Sequence, residues 1–87
     1  MSRILVTGAS GFVGSHVVPA FIERGHVVAA LVRSEEAGAK VLGRLPHNQR
    51  SSVELRSGDV TRPETLSAAL RGVDAVLHLV EIGRAHV

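Results

Sequence analysis

Short apolar runs alternate along this chain with stretches whose apolar residues recur at helical spacing. Ile4-Leu5-Val6 is a continuous apolar run, the pattern of a strand covered on both faces. From Phe12 to Arg24, the residues Phe12, Val13, His16, Val17, Ala20 and Phe21 form one stripe at helical spacing. Gly25 ends that helix. Pro19 lies inside it and removes the hydrogen bond to the Ser15 carbonyl, so a kink is expected there. Val27 to Val32 is the second apolar run and second strand. Ser34 is placed to cap a weaker helix over Glu35 to Leu42, with two carboxylates in its first turn. Pro46 to Ser52 is polar and reads as a loop, and Val53-Glu54-Leu55-Arg56 alternates as a third strand. Thr61-Arg62-Pro63-Glu64 signals a helix start, either a capping box from Thr61 or Pro63 in the first turn. That helix is expected to reach about Arg71, before Gly72, with Ala75 to Val80 as strand four.

The order is therefore β-α-β-α-β-α-β. Short connections and apolar strands between amphipathic helices predict an α/β fold: a Rossmann-type, doubly wound parallel sheet of about four strands in the order 3-2-1-4. At 87 residues the chain is one domain at most. A chain of this size buries only roughly 60–65% of the surface its unfolded form exposes, so marginal stability is expected.

Three of the nine glycines, Gly8, Gly11 and Gly14, fall within seven residues between the first strand and the first helix. Glycine loses the most backbone freedom on folding, so the cluster needs a reason. Gly8 permits a tight turn at the strand end. Gly11 lacks a Cβ, so a phosphate can approach the main chain, and Gly14 lets the helix pack closely on the sheet. The N–H groups of Phe12 and Val13, at the helix start, then face the negative charge, and Ser10 lies in the same loop. A tight turn without a ligand is the alternative. The apolar strand before the triplet and the amphipathic helix after it favour dinucleotide binding.

Composition narrows the remaining classes. Formal net charge is +2, the basic residues are scattered, and there is no Tyr or Trp; nucleic-acid binding has little support. Zero cysteines exclude disulfides and thiolate metal sites. No two histidines share a short metal-ligand spacing. No run approaches the ~18–20 apolar residues that span a bilayer, and Arg3 is followed by only three apolar residues before Thr7-Gly8, unlike a secretory signal. No membrane association and a cytoplasmic location are expected. Ser10 lies in Gly8-Ala9-Ser10-Gly11-Phe12, which is not a nucleophile elbow, and no Gly-Lys-Ser/Thr marks a P-loop. His16 is read as a packed helix histidine, His26 as part of the turn into strand two, and His78 as structural.

The spacing G-x-x-G-x-x-G in "TGASGFVG" (7–14), with "RGHVVAALVR" (24–33), "GDVT" (58–61) and "GVDAVLHL" (72–79), resembles the extended or atypical short-chain dehydrogenase/reductase family of NAD-dependent epimerases and dehydratases. The resemblance covers residues 3 to about 80. It implies that Asp59 meets the adenine amino group with Val60 lining the ring, and that the backbone at Leu79 passes the cofactor ribose. For Asp59 the alternative is an aspartate that starts a turn. Arg33 stands just past strand two, where an acidic residue would bind the ribose of NAD and an arginine suits the 2′-phosphate of NADP. Ser34 can add a hydroxyl. The alternatives are an exposed arginine paired with Glu35 or Glu36, and NAD binding through one of those glutamates.

The family's catalytic Tyr-x-x-x-Lys pair is not found: there is no tyrosine, and the one lysine, Lys40, lies in the second helix. The reading is therefore the dinucleotide-binding part, residues 1–80, of an oxidoreductase or epimerase whose full-length form acts on a small carbonyl or sugar-nucleotide substrate. The alternatives are a non-catalytic redox-sensing regulator and an inactive truncated product. Glu81 to Val87 read "EIGRAHV", and the codons that can write them resemble a sequencing adaptor read in frame. Residues 81–87 are thus expected to be a non-native tail. Oligomeric state has no signature in the sequence.

Overall fold

A computed structural model describes residues 2–79. Within them four strands form one parallel sheet: β1 (Arg3–Thr7), β2 (Val27–Val32), β3 (Val53–Ser57) and β4 (Ala75–His78), in the order β3-β2-β1-β4. This is the predicted order. Helices α1 (Phe12–Glu23) and α2 (Glu35–Gly43) follow β1 and β2, and the short α3 (Leu66–Ala69) precedes β4. Val80 and the tail at 81–87 lie outside the described residues.

The sheet is covered on both faces. On one, Val6, Val28, Ala30 and Val32 pack with Val18 of α1 and with Val41 and Leu45 at the end of α2. On the other, Leu5, Ala29 and Leu31 pack with Ala69 of α3, flanked by Leu66 and Val73. The central strands β1 and β2 therefore bury consecutive residues, as their unbroken apolar runs require. Ser34 caps α2 as expected, accepting a hydrogen bond from the Ala37 N–H at 3.1 Å.

Three local expectations are corrected. The buried side of α1 is not the apolar stripe through Phe12, Val13 and His16. Gly14 and Val18 are buried, with Phe21 and Ile22 packed beside them, while Phe12 is 78% exposed and His16 is exposed. Gly14 sets this rotation by its contact with Ala9, and hydrophobic periodicity gives a glycine no weight. Residues 47–52 form a 3₁₀ turn rather than a loop. The third helix is much shorter than residues 61–71: a 3₁₀ turn, Pro63–Thr65, leads into the four residues of α3. Thr61 does not cap it, because its N–H and hydroxyl both donate to Asp59 Oδ1, at 2.9 and 2.7 Å. Thr65 likewise accepts from the Asp59 N–H and donates to the Arg62 carbonyl. These short polar side chains take backbone groups away from the α-helical pattern. Pro63 at the first position was the correct alternative. α1 runs on through Pro19 to Glu23.

Candidate functional site

The carboxyl ends of the strands carry the candidate residues on three neighbouring segments. The first is the turn from β1 into α1. Gly8 adopts φ +71°, a conformation that glycine takes without strain, and a Cβ there would meet the Leu79 carbonyl oxygen. The turn closes with a 3.1 Å bond from the Gly11 N–H to the Gly8 carbonyl. At Gly14 a Cβ would run into the Ala9 backbone, 2.7 Å from its Cα. The fold itself thus requires glycine at positions 8 and 14.

Gly11 is different. Its φ of −83° suits any residue, and a Cβ would find only the Gly8 carbonyl oxygen at 3.4 Å, an ordinary contact. Among the described residues, no contact demands glycine there. Gly11 is also the N-cap of α1 and supplies no capping side chain. The first helical bond is the 3.1 Å one from the Ser15 N–H to the Gly11 carbonyl. The N–H groups of Phe12, Val13 and Gly14 precede it, as unpaired donors at the positive end of the helix. Open space over Gly11 beside three such donors is a cradle that fits a diphosphate.

The second segment follows β2. Arg33 is exposed and makes no ion pair with Glu35 or Glu36 among the described residues. The Ser34 hydroxyl accepts from Ala37 and keeps its own proton to donate. An open cleft of about 350 Å³ lies here, walled by Arg33, Ser34, Gly38, Leu55 and Ser57. The third segment follows β3. The Gly58 N–H bonds to the Val32 carbonyl at 3.1 Å and draws this loop beside the end of β2. Asp59 and Val60 follow, with Val60 46% exposed. The two hydrogen bonds from Thr61, then the charges of Arg33 and Arg62, hold the Asp59 carboxyl below the usual aspartate range. Thr61 occupies Oδ1 alone, so the turn-starting role is real, and Oδ2 takes no hydrogen bond among the described residues.

Leu79 completes the group. Its N–H bonds to the Thr7 carbonyl at 3.2 Å, which places it against Gly8. The structure therefore gathers Gly8, Ser10, Gly11, Phe12, Val13, Gly14 and Leu79 at the end of β1, and Arg33 with Asp59 and Val60 at the end of β2. His16 is exposed, contrary to the packed role expected, and stacks edge-on against Phe12 at 4.9 Å. His26 meets Phe21 in the turn before β2. Among the described residues, no three His, Asp or Glu side chains gather to hold a metal, and no helix is long and apolar enough to cross a membrane.

Two contacts at the loop had no signal in the sequence. The Thr7 hydroxyl, buried at the end of β1, pairs with His78 Nδ1 at 2.5 Å and joins the ends of β1 and β4. Arg44, just past α2, donates to the Ser10 and Gly11 carbonyls. Both partners are more than thirty residues away, beyond the reach of any local pattern.

Comparison with known proteins shows the family and the fold. The model of the NAD dependent epimerase/dehydratase family matches residues 4–87. The chain is 35% identical over 82 residues to a 3-beta-hydroxysteroid dehydrogenase of Mycolicibacterium neoaurum, covering 94% of this chain and 20% of that protein. It is 39% identical over 77 residues to the fatty acid hydroxylase uhd1 of Mycosarcoma maydis, covering 88% of this chain and 25% of that one. Among solved structures, AtPrR2 with NADP+ and (+)pinoresinol superposes with a TM-score of 0.72 at 27% identity, over 92% of this chain and 26% of that one. The chain thus spans about a quarter of the length of these relatives or less.

Proposed function

The chain belongs to the NAD-dependent epimerase/dehydratase family, and we propose that its glycine loop binds the diphosphate of a nicotinamide dinucleotide, with NADP preferred over NAD. The observation that carries this reading is Gly11, the one glycine of the triplet that the fold leaves unexplained. The N–H groups of Phe12, Val13 and Gly14 donate to the diphosphate oxygens, and Ser10 adds a polar group at the loop's tip. The Arg33 guanidinium, free of Glu35 and Glu36, pairs with the 2′-phosphate, and Ser34 donates beside it. Asp59 accepts from the adenine amino group through Oδ2, and the exposed Val60 side chain covers the ring. The backbone at Leu79, packed on Gly8, borders the ribose.

When bound, the dinucleotide supplies or accepts a hydride at its nicotinamide ring. With no tyrosine and with its one lysine on α2, this chain's part is to hold and orient. The whole protein acts as an oxidoreductase or epimerase on a small carbonyl or sugar-nucleotide substrate, and residues 1–80 are its coenzyme-binding part. Residues 81–87 are read as a non-native tail, and the cytoplasm as the compartment.

Titration of the purified protein with NADPH and NADH, beside Gly11→Ala, tests the proposal. Alanine is a poorer N-cap than glycine but restricts the unfolded chain, so the two effects on stability largely cancel. The melting midpoint is expected to hold within about 4 °C, while coenzyme affinity falls by at least roughly 10-fold. Folded wild-type protein with no affinity for either coenzyme would overturn the reading.

A further inference from the structure

The glycine loop is held from behind by a cation. Arg44 follows α2 directly, and its Nη1 lies 2.7 Å from the Ser10 carbonyl oxygen and 3.0 Å from that of Gly11. The base of this arm is fixed, because the next residue, Leu45, is buried in the core beside Val41 and Val18. We propose that Arg44 is a positioning residue for the diphosphate: it sets the direction of the loop's N–H groups without touching the ligand. The inference rests on the dinucleotide reading above.

The physical basis is the planar trans peptide, in which a C=O and the N–H that follows it point in opposite directions. The Ser10 carbonyl shares its plane with the Gly11 N–H, which is tied to the Gly8 carbonyl. The Gly11 carbonyl shares its plane with the Phe12 N–H, the first unpaired donor of α1. Anchoring both oxygens on one guanidinium aims the Phe12 N–H at the cradle before any ligand arrives. Without that anchor the Gly11 carbonyl keeps only the Ser15 N–H, so the permissive backbone around Gly11 samples more orientations, and their loss is charged against binding. The guanidinium also withdraws electron density through the amide and makes its N–H a better donor. Its charge lies within a Debye length of the cradle, which favours an anion further.

A residue that merely tied α2 to the loop would weaken every ligand alike when removed. A residue that positions the diphosphate donors would not. Three probes separate the two: NADPH, NADH, and adenosine 2′-monophosphate, which carries the adenosine and the 2′-phosphate but no diphosphate. In the protein purified at its full length, Arg44→Met is expected to weaken NADPH and NADH by the same factor, roughly 3- to 10-fold. Binding of adenosine 2′-monophosphate is expected to stay at the wild-type value. Arg44→Lys keeps the charge as a single point donor and falls between the two proteins. Equal loss for all three probes, or unchanged coenzyme affinity in Arg44→Met, overturns the inference while leaving dinucleotide binding intact. Wild-type protein that binds neither coenzyme overturns both.

Discussion

Arg33 and Glu54 show how differently two charged residues act in this molecule. Arg33 projects from the end of β2 with no carboxylate at ion-pair distance among the described residues and acts on Asp59 only through its charge, so its removal costs the fold little. Arg33→Met is expected to reduce NADPH affinity roughly 10- to 100-fold and leave NADH affinity unchanged, as paired titrations would show. Glu54 instead sits between two arginines, 2.9 Å from Arg56 and 3.2 Å from Arg3. The hydrogen bond from Arg56, and then that from Arg3, hold its carboxyl below the ordinary value of 4.5. A lowered carboxyl contributes stability that is fully present above the ordinary value and is lost as pH falls through the folded one. Urea melts at descending pH should therefore show a flatter acid limb in Glu54→Gln. The difference should stay below about 1 kcal/mol, because all three side chains are partly solvated. At Gly14 the constraint is backbone against backbone. Gly14→Ala is expected to destabilise by roughly 1–3 kcal/mol or more, in contrast to Gly11→Ala.

Helices and strands were legible to different degrees. β2 was read residue for residue and α1 and α2 to within one residue at their ends, because the signals are local: an unbroken apolar run, a Ser34 cap, and Gly25 after the last turn. The cap can be checked directly. Ser34→Ala leaves the Ala37 N–H without its acceptor and should cost about 1 kcal/mol in urea unfolding. The segment between β3 and β4 was over-read as a helix of eleven residues. Its Thr61 and Thr65 side chains bind Asp59 and Arg62 instead of letting the backbone close α-helical turns. The face of α1 was misread for a complementary reason. The closest approach of the helix to the sheet is made by a glycine, which adds nothing to a hydrophobic pattern.

Across the whole molecule, one face of the sheet is covered unevenly from its centre to its β4 edge. Leu5 and Val76 are register partners on β1 and β4, yet Leu5 is 2% exposed beside Ala69 and Val76 is 53% exposed. Leu5→Ala should therefore cost roughly 2–5 kcal/mol, enough to unfold a marginal domain, while Val76→Thr should stay within about 0.5 kcal/mol. Denaturant midpoints of the two variants would show the contrast. The sequence by itself determined the order of elements, the parallel sheet and the place of the glycine loop. Each rests on neighbours a few residues apart, whose spacing and backbone preferences act before the chain folds. Only the tertiary structure decided which glycines serve packing and which lies open, which side of α1 meets the sheet, and that Arg44 grips the loop. Those outcomes depend on how closely distant segments approach one another, and no local pattern encodes that distance.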